Sequence, residues 1–222
     1  MSKKSRICVI GLGQFGFELA CALAVSSEVL AIDRKKELVE AIQDRVQHAL
    51  ILDVSDFDDL REAVSTDFDQ AVISITGNLQ ASILCALHLR KIGLKKILAK
   101  AANDDHASIL QAIGVDKIIF PERESARRLA ASIQDPNFLD FIPLTEDYQV
   151  QEITAPAWFT GKNLIELHLR KRFGVLIIAV KQKNPARFVF LPPPELVLQP
   201  GDILLMVGRT RDFVQMIEQK ST

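Results

Sequence analysis

The chain has 222 residues, of which 48% are hydrophobic and 25% charged, with a formal net charge of −1. That length supports one large domain or two smaller ones, and the composition is globular rather than disordered or fibrous. A near-neutral chain without a basic block gives no footing for broad nucleic-acid or anionic-lipid binding, and no apolar run approaches the roughly 20 residues of a membrane-spanning helix.

The apolar run Ile7-Cys8-Val9-Ile10 predicts a strand over 6–10. Gly11-Leu12-Gly13-Gln14-Phe15-Gly16 follows it and opens an apolar helix over 15–25. A second strand, 28–33, ends in Asp33. Strand, glycine turn, helix, strand and acid are the parts of a nucleotide site, and each has a physical task. Gly11 permits a tight turn, Gly13 lets the backbone approach a phosphate, and Gly16 lets the helix pack closely. The helix N-terminus presents N–H groups and partial positive charge to an anion, and Asp33 can accept hydrogen bonds from ribose hydroxyls.

Strand and helix patterns then alternate. An amphipathic helix is expected at 36–45, a strand at 49–52, and a helix at 57–64 entered through acidic cap candidates. A strand at 70–75 is closed by Thr76-Gly77-Asn78, and the helix 79–92 is apolar on nearly every side. A strand at 96–100, a helix at 105–113 stopped by Gly114, a strand at 116–120 and a helix at 125–133 complete the series. Alternating βα units predict a doubly wound, Rossmann-like α/β fold with a parallel sheet in the order 3-2-1-4-5-6.

The pattern changes at Asp135-Pro136-Asn137. Strands are expected at 150–154, 175–180 and 203–207, with helices at 163–172 and 213–218, in a small α+β domain. The division is expected to give domains 1–137 and 138–222. The polar residues 1–6 do not open a secretory leader, and Cys8, Cys21 and Cys85 lie in apolar segments without CxxC spacing. They read as small core residues of a cytoplasmic protein.

No chemical site is legible beside the nucleotide site. A short-chain dehydrogenase needs a lysine four residues after its tyrosine, but Tyr148 is followed there by Glu152. His48, His88, His106 and His168 lack metal-site spacing, and no GxSxG occurs. Binding is therefore favoured over turnover. An NAD-dependent oxidoreductase is the alternative, and a redox-sensing transcription regulator lacks a recognisable DNA-binding module.

Several segments carry a resemblance. In the first domain they are Val9-Ile10 with the glycine turn, Ala31-Ile32-Asp33, Asn78-Leu79-Gln80-Ala81-Ser82 and Ile113-Gly114-Val115-Asp116, with Ile118-Ile119-Phe120-Pro121-Glu122-Arg123 the most specific. In the second they are Gly161-Lys162-Asn163-Leu164, Phe173-Gly174-Val175 and Pro200-Gly201-Asp202. Over essentially its whole length the chain resembles the regulatory subunits of bacterial potassium uptake of the KtrA/TrkA type, built from an RCK (KTN) N-terminal domain and an RCK C-terminal domain.

The resemblance implies a non-enzymatic regulator. Its homodimers would assemble into a larger ring, an octamer, beneath a membrane potassium-translocating subunit of the KtrB/TrkH type. It would be cytoplasmic and peripheral to the membrane. An adenine nucleotide, ATP or ADP, is implied, with NAD(H) and AMP as alternatives, and the C-terminal domain is open to a second ligand such as a cyclic dinucleotide. Asp33, Arg34 and Lys35 would hold the ribose, and Asp53 and Val54 would border the adenine. Ile75, Thr76 and Gly77 would line the turn after the fourth strand. Lys100, Ala101, Ala102 and His106 would lie near phosphates or ribose. Strand-end lysine and solvated helix-start histidine are the structural readings of Lys100 and His106. Glu122 would meet the phosphates at a dimer interface through Mg2+ or Ca2+, or would merely cap the helix near Ser125. Many relatives carry arginine where this chain has Gln14, whose neutral amide cannot give a charge-assisted hydrogen bond to a terminal phosphate. The apolar helix 79–92 and Phe138, Leu139, Phe141 and Ile142 are expected to dock on partner chains.

Overall fold

The computed structural model describes residues 4–135, 137–145 and 147–218. The polar start Met1-Ser2-Lys3, and Pro136 of the predicted boundary turn, lie outside the described residues. The chain falls into two compact units, Met1–Glu122 and Arg123–Thr222.

The first unit alternates strand and helix: β1 (Arg6–Ile10), α1 (Gln14–Ala24), β2 (Glu28–Asp33), α2 (Lys36–Ile42), β3 (His48–Ile51), α3 (Phe57–Ala63), β4 (Gln70–Ile73), α4 (Leu79–Ile92), β5 (Ile97–Lys100), α5 (Asp104–Ile113) and β6 (Lys117–Ile119). The strands form one parallel sheet in the order β3-β2-β1-β4-β5-β6, as the alternation predicts. Side chains alternate across a strand, so each face of the sheet has its own core. Cys8, Ile10, Ile32 and Ile73 face one layer, with Leu60, Cys85, Leu89 and Leu110. Ile7, Val9, Val29 and Ala31 face the other, with Ala20, Val39 and Ile42.

The helix ends follow local chemistry. Asn78 caps α4 by accepting from the Ala81 N–H, and Asn103 caps α5 by accepting from the His106 N–H. Gly93 and Gly114 close the same helices at positive φ. Arg90 ties the two helix exits together. It donates to the carbonyls of Leu94 and Gly114 and pairs with Asp116, which also accepts from the Ile97 N–H. Helix α4 buries Ala81, Cys85, Ala86 and Leu89 within its own chain, while Leu79 and Leu87 stay exposed, so the all-round apolar pattern resolves into an inner face and an outer ridge.

The last helix of the series, α6 (Pro121–Gln134), starts four residues before the predicted 125–133. Proline suits the first helical turn because its missing N–H would have no partner there. Glu122 therefore lies inside α6 and does not cap a helix starting near Ser125. The helix has no buried residue among those described, which leaves it a connector rather than part of either core. The compact units divide at its start, whereas the sequence places the division after it.

The second unit continues with β7 (Phe138–Pro143), β8 (Tyr148–Thr154), a 3₁₀ turn (Ala157–Phe159), α7 (Leu164–Leu167), α8 (Leu169–Phe173), β9 (Leu176–Gln182), β10 (Arg187–Phe190), β11 (Ile203–Arg209) and α9 (Thr210–Glu218). Its antiparallel sheet runs β10-β9-β11-β8-β7. Phe159, Phe173, Leu204, Met206 and Phe213 form the core. The single helix expected at 163–172 is two, because His168 takes φ 48° between them. Phe138 is buried in this unit and stacks near Phe141 on β7, so it is not free to dock elsewhere, while Leu139 and Ile142 remain exposed.

Candidate functional site

The site grows from the C-terminal ends of β1 and β2. Gly11 leaves β1 at φ +92° and its N–H donates to the Ile32 carbonyl at 2.8 Å. A Cβ at Gly11 would stand 2.9 Å from the Ser74 backbone, so both conformation and space demand glycine there. Asp33 ends β2 and binds the turn: one carboxylate oxygen accepts from the Leu12 N–H at 2.7 Å and the other from the Lys35 N–H at 2.8 Å. Each oxygen keeps further acceptor capacity for hydroxyl groups.

Gly13 and Gly16 do different work. A Cβ on Gly16 would fall 1.9 Å from the Gly11 carbonyl oxygen, so this glycine lets α1 sit against its own entry turn. A Cβ on Gly13 would meet nothing within 4 Å, so the protein's own packing does not require glycine there. Gly13 is the N-cap of α1, no side chain caps that end, and no acid lies in its first turn. An uncapped helix N-terminus is an anion site.

A cavity of about 340 Å³ opens at this sheet edge. Gly11, Gly13, Asp33, Arg34 and Lys35 line one part of it. Asp53 and Val54 from the β3–α3 turn, and Ile75, Thr76 and Gly77 from the β4–α4 turn, line the rest. Ten of the sequence-predicted positions thus meet in one place. The Asp53 carboxyl is held below the usual range by the Ser55 N–H and hydroxyl, with the Arg34 guanidinium adding less, so it presents an anion near neutral pH. Sequence reasoning missed Ile10, Ile32, Leu38 and Leu52, which make the lining apolar, and Ser74, Asn78 and Ala81. Ile10, Ile32 and Leu52 directly precede Gly11, Asp33 and Asp53, and that adjacency is the signal that could have found them.

The other predicted positions do not line this cavity. Gly16 is buried under the turn, and Gln14 is exposed at the first position of α1. Phe15, Lys100 and Glu122 form a second group. The Lys100 ammonium pairs with the Glu122 carboxylate and lies 5.8 Å from the centre of the Phe15 ring. That ammonium and its hydrogen bond hold the Glu122 carboxyl below the usual range. Lys100 is the last residue of β5, as the strand-end reading has it, and it is buried.

Ala101 and Ala102 support this edge through their backbones. The Ala101 N–H donates to the Ile119 carbonyl, and the Ala102 N–H donates to His106 Nδ1 at 3.2 Å. His106 is 2% exposed, not a solvated helix-start residue. With Nδ1 accepting, the neutral ring carries its proton on Nε2, which has no partner among the described residues. Burial lowers the histidine pKa.

Two matches cover most of the chain: residues 7–121 match the TrkA-N domain and residues 151–219 the TrkA-C domain. The chain is 35% identical to "Ktr system potassium uptake protein C" of Bacillus subtilis over 211 residues, 95% of each chain. It is 32% identical to "Ktr system potassium uptake protein A" of the same organism, again over 95% of each chain. Among solved structures, the GsuK channel bound to NAD shares the fold with a TM-score of 0.54 and 22% identity, over 97% of this chain and 38% of that one. The chain thus spans well under half of that solved channel chain.

Two outcomes follow from this geometry. Gly16→Ala should cost about 2 kcal/mol or more of unfolding free energy, because backbone must move to admit the methyl group, whereas Gly13→Ala should leave stability nearly unchanged. Urea denaturation checks both, and equal losses would remove the distinction between the two glycines. His106 gives a pH dependence. Its folded pKa lies below the unfolded value of 6.5, so its contribution is complete above pH 6.5 and is lost as pH falls toward the folded pKa. Between pH 7.5 and 5.5 the native protein should lose more stability than His106→Gln; matching losses would mean that His106 does not govern this range.

Proposed function

The chain belongs to the family of potassium-uptake regulatory subunits built from a TrkA-N and a TrkA-C domain, and from that premise we propose that an adenine nucleotide bound in the cavity sets the state of a potassium transporter. The observation that carries this reading is Asp33, held at the rim of the cavity by the Leu12 and Lys35 N–H groups beside an uncapped helix N-terminus. In this reading the ribose hydroxyls bind Asp33, with Arg34 and Lys35 beside it. The adenine lies by Asp53 and Val54 and under the turn Ile75 to Gly77. The phosphates run over Gly11, Gly13 and the first turn of α1, formed by Gln14, Phe15 and Gly16. A volume near 340 Å³ is at the lower end for ligand pockets, suited to a nucleoside half. ADP and ATP are the first candidates. AMP and NAD(H) share the same half, and a channel of this fold has been solved with NAD.

Lys100, Ala101, Ala102, His106 and Glu122 belong to the far end of the phosphate path in this reading, where Glu122 would meet phosphate oxygens through Mg2+ or Ca2+. One carboxylate is a poor cation site by itself. Among the described residues no three His, Cys, Asp or Glu side chains gather in position to hold a metal ion, so phosphate oxygens have to supply the remaining donors.

The working unit we propose is a homodimer assembled into an octameric ring under a membrane subunit of the KtrB/TrkH type, on the cytoplasmic side. Residues 1–137 would bind nucleotide and residues 138–222 would be regulatory. No described helix is long and apolar enough to cross a membrane. The exposed ridge Leu79 and Leu87 on α4 supports a subunit contact. Nucleotide binding then acts by differential affinity for two ring shapes. Moving a gate from 1:99 to 99:1 takes about 5.5 kcal/mol, which a ring can divide among its sites. Relatives that belong to potassium uptake systems support a sensor over an enzyme.

Asp33→Ala should lower adenine-nucleotide affinity at least tenfold in calorimetric titration. Asp33→Asn, which keeps an acceptor for the turn, should lose less. Unchanged affinity in Asp33→Ala removes this residue from the site. ATP and ADP should bind the native chain with similar affinity, and Gln14→Arg should shift preference toward ATP; a native hundredfold preference for ATP would contradict the role given to Gln14. Light scattering should show at least a dimer at micromolar concentration, and a mass near the 24.7 kDa of one chain would rule the ring out.

A further inference from the structure

The two walls proposed to meet the base are unequally supported. The turn after β4 belongs to an inner strand, held between β1 and β5. The turn after β3 belongs to the edge strand, which pairs with β2 and leaves Leu50 and Ile51 exposed. One hydrogen-bonded ladder in place of two gives Asp53 and Val54 a looser footing than their partners across the cavity.

Local bonds close this turn on itself and tie it to β2. The Leu52 N–H donates to the Asp33 carbonyl at 3.0 Å, the Ser55 N–H to the Asp53 carboxylate at 3.0 Å, and the Asp56 N–H to the Asp53 carbonyl at 3.1 Å. His88 joins it to the opposite wall. That residue lies on α4, whose first turn brings Asn78 and Ala81 to the cavity. His88 Nδ1 stands 3.4 Å from the Val54 carbonyl, 34 positions away in sequence. A carbonyl can only accept, so Nδ1 carries the proton. The same ring meets Phe57 edge-on, with centroids 5.3 Å apart. The N–H contact is long for a hydrogen bond, and the aromatic contact supplies the rest of the hold. Asp56 caps α3, so His88 grips the chain on both sides of that cap, at Val54 and at Phe57. His88 is only 8% exposed, which keeps bulk water from competing for the carbonyl.

The grip bears on the choice of base. Asp53 presents an anion from this turn. An anionic acceptor favours a 6-amino purine, which donates, over a 6-oxo purine, which turns an oxygen toward it. We propose that His88 is a positioning residue for the base: by bracing Val54 and Phe57 against α4, it keeps Asp53 where its carboxylate can receive the 6-amino group of adenine. His88 does not line the cavity and acts through the turn. The proposal rests on the nucleotide reading above and adds to it what sets the choice of base.

The experiment is calorimetric titration of ADP and of inosine diphosphate into the full-length native chain, His88→Leu and His88→Asn, with urea denaturation of each. The two ligands share ribose and phosphates and differ at the 6-position of the purine. The native chain should prefer ADP at least tenfold. His88→Leu keeps apolar bulk and removes the N–H. Its preference should narrow at least fivefold through loss of ADP affinity, with affinity for inosine diphosphate changed less than twofold. His88→Asn sets an amide N–H near the place of Nδ1 and should return the preference to within twofold of native. A merely structural histidine would lower the urea midpoint and leave the ratio of the two affinities unchanged. That result, equal narrowing in His88→Asn and His88→Leu, or a native chain indifferent to the base overturns the positioning role and leaves the nucleotide site standing. If His88→Leu does not fold, Phe57→Leu decides in its place: it should narrow the preference at least twofold, and an unchanged ratio overturns the role. No binding of either ligand by the native chain overturns the nucleotide reading and the positioning role with it.

Discussion

The first unit depends on how the chain turns at the end of β1. The strand is central in a parallel sheet with helices on both faces, so the turn is crowded from three directions. Gly11 meets the Ser74 backbone, the Gly16 Cα leaves no space for a methyl beside the Gly11 carbonyl, and the Asp33 carboxylate holds the Leu12 N–H. Once these are satisfied, the N-terminus of α1 must point along the C-terminal edge of the sheet, where the strand order reverses direction between β1 and β4. Open doubly wound sheets bind ligands at that place. The polar cradle follows from closing the turn and needs no separate invention.

Much of this was legible beforehand because glycine spacing and terminal acids report backbone demands directly. The six-strand order, the acidic cap of α3, and Gly11, Gly13 and Asp33 at the cavity follow from such signals, while Arg34, Lys35, Asp53, Val54, Ile75, Thr76 and Gly77 were implied only by the family resemblance. The apolar lining was not legible, since Ile10, Ile32 and Leu52 are the residue types of any strand end. The Lys100–Glu122 pair escaped for a different reason. The two are 22 positions apart, and only adjacency of β5 and β6 brings them together. In the second unit the break at His168 was hidden because a positive φ in a non-glycine residue leaves no compositional mark. Strand β10 was missed although Phe188 and Phe190 alternate along it, because only four residues make up the strand.

Two charge arrangements divide the labour along the sheet edge. Near β2 and β3, Asp33 and Asp53 are fixed by backbone N–H groups and present acceptors to neutral hydroxyl and amine groups. Near β5 and β6, Lys100 offers a positive charge already engaged by Glu122. In the proposed reading, one end recognises the nucleoside and the other lies toward the phosphates that it carries. A regulator needs that separation, because affinity and response must be tuned independently for a ligand to shift a population rather than merely occupy a site.

Amide hydrogen exchange of the native protein, with and without saturating ADP, tests the central claim most directly. The account predicts added protection concentrated at Leu12 to Gly16 and at Asp33 to Lys35, where backbone N–H groups face the proposed phosphates and ribose. Protection confined to the second unit, or absent from both of these turns while ADP is bound, would contradict it.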